Sequence, residues 1–257
     1  MSRFGKLELA NPGLSPGRET RAGTAEPSCL ASAEDAFGRG EFEPALRWFS
    51  RALEEDMDQV AAWSGQVRSL IELGEFGEAR AWADKALERI PSAPDLLAAK
   101  AVVLGRLGEL DPALAFSDAS MGEGGDAPYV WLARGDVLMA RGERRAEYCF
   151  DRACAMAPES AWVAWLAGRI RHHYGQHAAA LQFARRAAAL DPGNCAAWLL
   201  CGDCQRALGF AEEAEASFRQ ALGLRPDCRA AAERLSGTRS QGMAGRLTGW
   251  WRRQFGG

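Results

Sequence analysis

Apolar residues recur along this chain at the three- and four-residue spacing of an amphipathic helix, and glycine and proline interrupt them at regular intervals. Residues 196–208 follow this spacing, with Trp198 and Cys201 on one stripe. Gly209 is expected to end that helix, because glycine readily adopts the left-handed conformation that a helix terminus often needs. Residues 212–224 predict a second helix, which Pro226 ends because proline lacks an amide hydrogen and clashes with the preceding turn. This stretch therefore predicts a pair of helices joined by a tight turn.

The same helix pair recurs along most of the chain. The turn glycines are spaced 33 or 34 residues apart, at Gly40, Gly74, Gly108, Gly142, Gly175 and Gly209. An alanine column keeps the same register, at Ala45, Ala79, Ala113, Ala146, Ala180 and Ala214. Two further columns agree with these, so chance composition does not explain the period. The sequence predicts an all-α chain built from six helix-turn-helix units.

The size of the residues in each column predicts where the two helices of a unit approach closely. The alanine column is expected to face small residues of the first helices, because helices approach closely only where side chains are small. Those partners are Ala33, Val67, Ala101, Gly135, Gly168 and Gly202. Bulky residues are expected to fill the neighbouring holes, and burial of each ring stabilises the fold by about 1.5–3 kcal/mol. The bulky columns are Phe49, Phe150 and Phe218, and Trp63, Trp131 and Trp198.

The last unit carries the most complete motif, with Trp198-x2-Cys201-Gly202 followed by Ala214-x3-Phe218 and Pro226. Over residues 27–226 the chain resembles the tetratricopeptide repeat (TPR) family, whose unit has this pattern and length. The resemblance implies a right-handed α-solenoid of six helix-turn-helix repeats. It also implies a non-catalytic scaffold or adaptor for protein–protein interaction. The third repeat departs most, since residues 120–128 replace its usual tight junction.

The ends of the chain differ in composition from the repeats. Residues 1–27 are expected to form a flexible segment, of which the first nine residues are either a loose terminus or a docking peptide. The solenoid is expected over 28–236, and residues 227–235 read as a C-terminal capping helix that covers the last apolar surface. The remaining segment, 237–257, is basic and aromatic. Its candidate docking residues are Leu247, Trp250, Trp251, Arg252 and Arg253.

The resemblance also implies where a partner would bind. In the family, the first helices line a concave surface, and four positions of each unit contact the ligand. In this sequence those positions hold Arg68, Tyr129, Asp136, Met139, Trp162, Trp165, Arg169, His172, Leu199, Asp203 and Arg206. The fifth unit, with Trp162, Trp165 and Arg169, is the richest in residue types common at binding hot spots. Trp165 has an alternative interpretation as packing between repeats.

The subtype of the family that holds the C-terminal carboxylates of chaperones is not matched. That subtype needs a lysine and an asparagine at two groove positions, where this chain has Trp165 and Arg169 in the fifth unit and Leu199 and Asp203 in the sixth. The mixed aromatic and charged lining favours a peptide or helix with both apolar and charged groups. The partner is thus expected to be another protein.

Composition narrows the remaining classes of function. A net charge of −3 gives no sign of nucleic-acid binding. Only Lys6, Lys85 and Lys100 are lysine, a skew towards arginine that suggests a GC-rich, bacterial genome. The N-terminus lacks the apolar core of a secretory signal, so a cytoplasmic location and seven reduced cysteines are expected.

Alternative functions rest on smaller clusters. Cys201 and Cys204 form a C-x-x-C inside a helix. His172, His173 and His177 cluster at the end of the first helix of the fifth unit and in the turn after it. A metal- or thiol-dependent sensor is therefore one alternative. Buried cysteines more often act as small hydrophobic residues, so neither a metal nor a cofactor is expected. A peripheral membrane adaptor that uses the basic tail is the second alternative. No catalytic constellation emerges, and an enzyme is not expected.

Overall fold

The structure, a computed structural model, describes residues 27–238. Within that range it is all-helical and has no strand, as predicted. The helices are α1 (Cys29–Gly38), α2 (Phe42–Glu55), α3 (Val60–Leu73), α4 (Phe76–Arg89), α5 (Pro94–Arg106), α6 (Leu110–Gly122), α7 (Pro128–Ala140), α8 (Ala146–Met156), α9 (Ala161–His173), α10 (His177–Leu190), α11 (Cys195–Ala207), α12 (Ala211–Leu224) and α13 (residues 229–238). The predicted capping helix is therefore present as α13, which begins two residues and ends three residues later than predicted.

The turn between the two helices of each repeat is made by the predicted glycine column. All six glycines have positive φ values between 70° and 85°. At Gly74, for example, the backbone N–H donates to the carbonyl of Ile71, and that of Glu75 donates to Leu70, so the turn closes the end of α3. A side chain at these positions would be strained, because residues with a Cβ rarely adopt positive φ. The glycine column thus sets the boundary between first and second helices.

The chain divides between Ala146 and Glu147 into two compact units. In the N-terminal unit, each of α1 to α6 packs on the next, and the odd-numbered helices α1, α3, α5 and α7 pack on one another. In the C-terminal unit, α9 to α12 pack in the same way, and α9 also contacts α11. This packing makes α1, α3, α5 and α7 one layer of first helices, and α9 and α11 the equivalent layer in the second unit.

The alanine column is buried throughout, with no member more than 3% exposed. The phenylalanine column is equally buried, but its members pack against glycines of different repeats. A Cβ on Gly202 would lie 2.4 Å from the ring of Phe218 in the same repeat. In the first repeat, the ring of Phe49 is met by a glycine of the second repeat: a Cβ on Gly65 would lie 2.1 Å from it. Both glycines are therefore required by close packing against a ring.

The tryptophan column ties three first helices, α3, α7 and α11, to the loops before them. The Trp63 indole N–H donates to the Met57 carbonyl at 2.8 Å, and the Trp198 indole donates to the Pro192 carbonyl at 3.0 Å. Trp131 donates instead to the Asp126 carboxylate, at 2.9 Å, within the atypical junction of the third repeat. That junction is closely packed, because a Cβ on Gly125 would lie 2.6 Å from the Ser120 carbonyl oxygen.

Over residues 27–238, no helix is long and apolar enough to cross a membrane.

Candidate functional site

In the N-terminal unit, the candidate binding residues Arg68 and Tyr129 are in contact with each other. The Arg68 guanidinium lies 4.6 Å from the centroid of the Tyr129 ring and 4.6 Å from that of Phe37, so it is held between two aromatic rings. Cation–π contacts of this kind are strongest where water is excluded. Burial raises the pKa of Tyr129 and lowers that of Arg68. The stack joins α1, α3 and α7, and sequence reasoning missed Phe37.

Asp136, the next candidate along α7, is almost fully buried in an ion pair. Its carboxylate lies 2.6 Å from the Arg106 guanidinium, and the two side chains are only 4% and 9% exposed. A charge buried this deeply is stabilised by its partner, because desolvation alone would cost several kcal/mol. Met139 lies one turn further along α7 and is half-buried. Asp136 is therefore built into the packing of the first helices.

In the C-terminal unit, α9 places three candidates on one stripe. Trp162 is half-buried, whereas Trp165 is only 4% exposed. The Arg169 guanidinium lies 6.0 Å from the Trp165 ring centroid. Trp165 thus has the burial of a packing residue, while Trp162 and Arg169 keep part of their surface accessible. Leu199 on α11 is also half-buried and packs beside a small cluster that includes Cys195 and Ala231.

Asp203 on α11 organises the charged part of this region. Its Oδ1 accepts hydrogen bonds from Arg206 at 3.0 Å and from Arg234 of α13 at 2.9 Å. Asp203 is buried, but the two arginine side chains are 36% and 34% exposed. A single carboxylate oxygen therefore accepts a hydrogen bond from each of two guanidinium groups and orients both. Arg234 was not identified from the sequence, because its role depends on the capping helix docking on α11.

His172, at the end of α9, lies at the edge of the same region. Its Nδ1 is 3.1 Å from Nδ1 of His177 and 3.5 Å from the Cys204 sulfur. Burial lowers the pKa of His172, Asp203 opposes this, and Arg169 and Arg206 lower the pKa further. The charged groups around His172 therefore act on its pKa in both directions, Asp203 against the arginines and His177.

The cysteines of the C-x-x-C do not have the properties of reactive thiols. Burial raises the pKa of Cys201 to about 11 and that of Cys204 to about 12. A thiol with so high a pKa is a poor nucleophile and a poor metal ligand at neutral pH, because both roles need the thiolate. Between residues 27 and 238, no group of three or more histidine, cysteine, aspartate or glutamate side chains is arranged to hold a metal ion.

Arg171 lies on the opposite side of α9 and was not singled out from the sequence. It is 4% exposed and donates two hydrogen bonds to Glu147, at 3.0 and 2.5 Å, and one to Gln176 at 2.9 Å. Its guanidinium also lies 4.5 Å from the centroid of the Phe150 ring. These contacts tie α8, α9 and the following turn together, so Arg171 supports the fold.

Five further candidates lie outside the described residues. They are the tail positions Leu247, Trp250, Trp251, Arg252 and Arg253. The predicted flexible segment 1–27 also lies outside the described range, apart from Pro27 just before α1. The docking roles suggested for both ends stay predictions.

Comparison with known proteins identifies the repeat. Two sequence models described as "Tetratricopeptide repeat" match residues 30–94 and 171–236, which together make up half of the chain. No curated protein sequence matches the chain.

Several solved structures are similar. The human IFIT1 dimer with m7Gppp-AAAA is 16% identical, with a TM-score of 0.52, over 86% of this chain and 58% of that chain. The APC/C hetero-tetramer Cut9-Hcn1 is 16% identical, with a TM-score of 0.50, over 82% of this chain and 42% of that one. YrrB, described as a TPR protein with an unusual peptide-binding site, is 21% identical over 72% of this chain and 96% of its own, with a TM-score of 0.43. At these identities the similarity to the first two shows the fold alone.

Proposed function

We propose that this chain, which belongs to the tetratricopeptide repeat family, is a protein-interaction scaffold that binds an acidic, partly apolar peptide or helix of its partner. The binding surface would be the C-terminal face, defined here as Trp162, Arg169, Leu199, Arg206 and Arg234. These residues lie on α9, α11 and α13 of one compact unit. The face combines partly exposed apolar side chains with a cluster of arginines.

The arginines held by Asp203 carry this proposal. Arg206 and Arg234 share one carboxylate oxygen, so the C-terminal face together with Asp203 has three positive charges and one negative charge. Guanidinium groups form strong, directional hydrogen bonds with carboxylates, and their orientation by a buried aspartate lowers the entropy lost on binding. A partner with aspartate or glutamate beside an apolar side chain would complement this surface.

The half-buried Trp162 and Leu199 supply the apolar part of the same surface. Tryptophan and arginine are the residues that most often dominate binding energy at protein interfaces. Trp162 and Arg169 are seven residues apart on α9, so they share a helix face, and α11 packs beside it. The N-terminal unit offers less, because Arg68 is stacked between two rings and Asp136 is buried with Arg106.

The variant Trp162→Ala with Arg169→Ala is expected to lower partner recovery at least tenfold, because two hot-spot side chains would be removed. The measurement is affinity capture from an extract of the native host, followed by identification of the partner and a binding curve with the purified proteins. Binding to the wild-type chain is expected to weaken as salt rises, since screening reduces attraction between charges near the surface.

Tyr148→Ala is the matched control for that experiment. Tyr148 is an aromatic residue of the same compact unit and is 64% exposed. It lies on α8, the second helix of its repeat. It should leave binding unchanged, and circular dichroism should show the same helical melt for all variants. Full partner recovery by the double variant would refute the C-terminal face as the binding surface.

A further inference from the structure

Two cysteines that the proposed binding surface does not use meet where the last repeat joins α13. Cys195 is the first residue of α11, and Cys228 directly precedes α13. Their sulfur atoms are 3.8 Å apart, and the residues are 2% and 8% exposed. They are 33 residues apart in the sequence, so the contact depends on the fold.

We propose that Cys195 and Cys228 are a modification site, at which a small-molecule disulfide oxidant converts the two thiols into an intramolecular disulfide that fastens α13 to the last repeat. The sulfur atoms would have to approach from 3.8 Å to the bond length of about 2.05 Å. Rotation of the two side chains and a shift of α13 would have to supply this movement. The reduced pair is thus already close to bonding distance.

The surroundings of the pair determine how the reaction is controlled. Ala221 and Ala231 are buried beside the two sulfurs, and Trp198 and Leu222 pack against them. This apolar setting raises the pKa of Cys195 to about 12, mainly by burial and then through the neighbouring Cys228. The thiolate is therefore scarce while α13 is docked. Oxidation proceeds when α13 opens transiently, and redocking brings the two sulfurs together.

The chemistry is a pair of thiol–disulfide exchanges with oxidised glutathione, which represents the oxidant class. Cys228, the more exposed of the two, loses its proton to solvent, and its thiolate attacks one glutathione sulfur. This forms a mixed disulfide and releases one glutathione thiolate, which takes up a proton. The Cys195 thiolate then attacks the Cys228 sulfur and releases the second glutathione. The two cysteines lose two electrons and two protons, and one oxidised glutathione becomes two reduced molecules.

A disulfide at this place would stabilise the end of the repeat array. It would close a loop that contains all of α11 and α12. A disulfide that closes a loop of this length reduces the entropy of the unfolded chain considerably. The expected rise in Tm is about 5–10 °C. Terminal repeats depend on their caps to protect apolar surface. The oxidised form is therefore expected to keep α13 docked under conditions that release it from the reduced form.

The test uses the full chain, purified in reductant and then equilibrated with mixtures of reduced and oxidised glutathione. Free thiols are alkylated and the peptides are analysed by mass spectrometry. A cross-linked peptide that joins residues 195 and 228 and lacks two hydrogen atoms is expected, together with the higher Tm. Cys195→Ala and Cys228→Ala should each abolish both. Cys201→Ala is the matched control, because Cys201 lies on the same helix and is also 2% exposed, and it should keep the cross-link.

Two results would overturn the proposal. One is equilibration that leaves both cysteines alkylated, or that links each only to glutathione, since a docked pair should resolve the mixed disulfide. The other is a cross-link that forms equally well in urea, where the native contact is lost and proximity in the fold plays no part. Each result would show that Cys195 and Cys228 act only as small hydrophobic residues.

Discussion

Asp136→Ala is expected to lower the free energy of unfolding by about 3–5 kcal/mol, the largest effect of any single change considered. The reason is the burial of its partner, since the Arg106 side chain is only 9% exposed and lies 2.6 Å from the Asp136 carboxylate. Removal of the carboxylate would take away the negative charge that this guanidinium pairs with in the packed layer of first helices. Urea unfolding of the purified chain, followed by circular dichroism, measures the difference.

Asp118→Ala is the control for this prediction. Asp118 also pairs with an arginine, Arg134, at a similar distance of 2.7 Å, but its side chain is 58% exposed. Exposed pairs contribute about 0–1 kcal/mol, so this variant should be nearly as stable as the wild type. The combination of Arg106→Met and Asp136→Leu should recover most of the loss, because apolar residues of similar volume can replace a buried pair. Equal losses for the two alanine variants would show that burial is not the cause.

Gly65→Ala is expected to destabilise the chain by about 1–3 kcal/mol, because it overpacks a filled core. The new Cβ would lie 2.1 Å from the ring of Phe49, which is buried and has little room to move. Glycine-to-alanine changes within helices are otherwise stabilising, by about 0.8–1 kcal/mol, so the sign of the effect comes from the packing. The same urea titration measures it.

Gly105→Ala provides the opposite case in the same compact unit. At Gly105 a Cβ would meet its nearest neighbours, in Ala140 and Val137, at 3.9 Å, which is ordinary van der Waals contact. This variant should gain stability through helix propensity and a little additional burial. A stabilising Gly65→Ala would contradict the close packing described for Phe49. A strongly destabilising Gly105→Ala would show that the space around the new Cβ does not decide the sign of the effect.

The sequence predicted the fold well because the features that define the repeat depend on residues close together in the chain. Each glycine of the turn column needs only its own backbone conformation to end a helix, and all six have the expected positive φ. The second helix of the sixth unit was predicted over 212–224 and is observed at Ala211–Leu224. The buried alanine column follows from the same local period. Membership of the repeat family was evident from the same columns.

The candidate site was harder to predict because its contacts are not local. A periodic pattern places Arg68 on a first helix but does not reveal that Phe37 and Tyr129, from two other helices, enclose its side chain. Likewise, Asp203 was identified as a groove residue, whereas Arg234 required the docking of α13. The difference between Trp162 and Trp165 is also one of burial, which depends on how α9 packs in the repeat array.

Photo-crosslinking tests the central claim, that the C-terminal face binds a partner protein, most directly. A photoreactive benzoylphenylalanine would replace Trp162 on α9 in one variant and the exposed Tyr148 on α8 in the other, so that both changes keep an aromatic ring. The proposal predicts that irradiation of the complex links position 162 to an acidic segment of the partner and leaves position 148 unlinked. Cross-links from 148 alone, with none from 162, would contradict it.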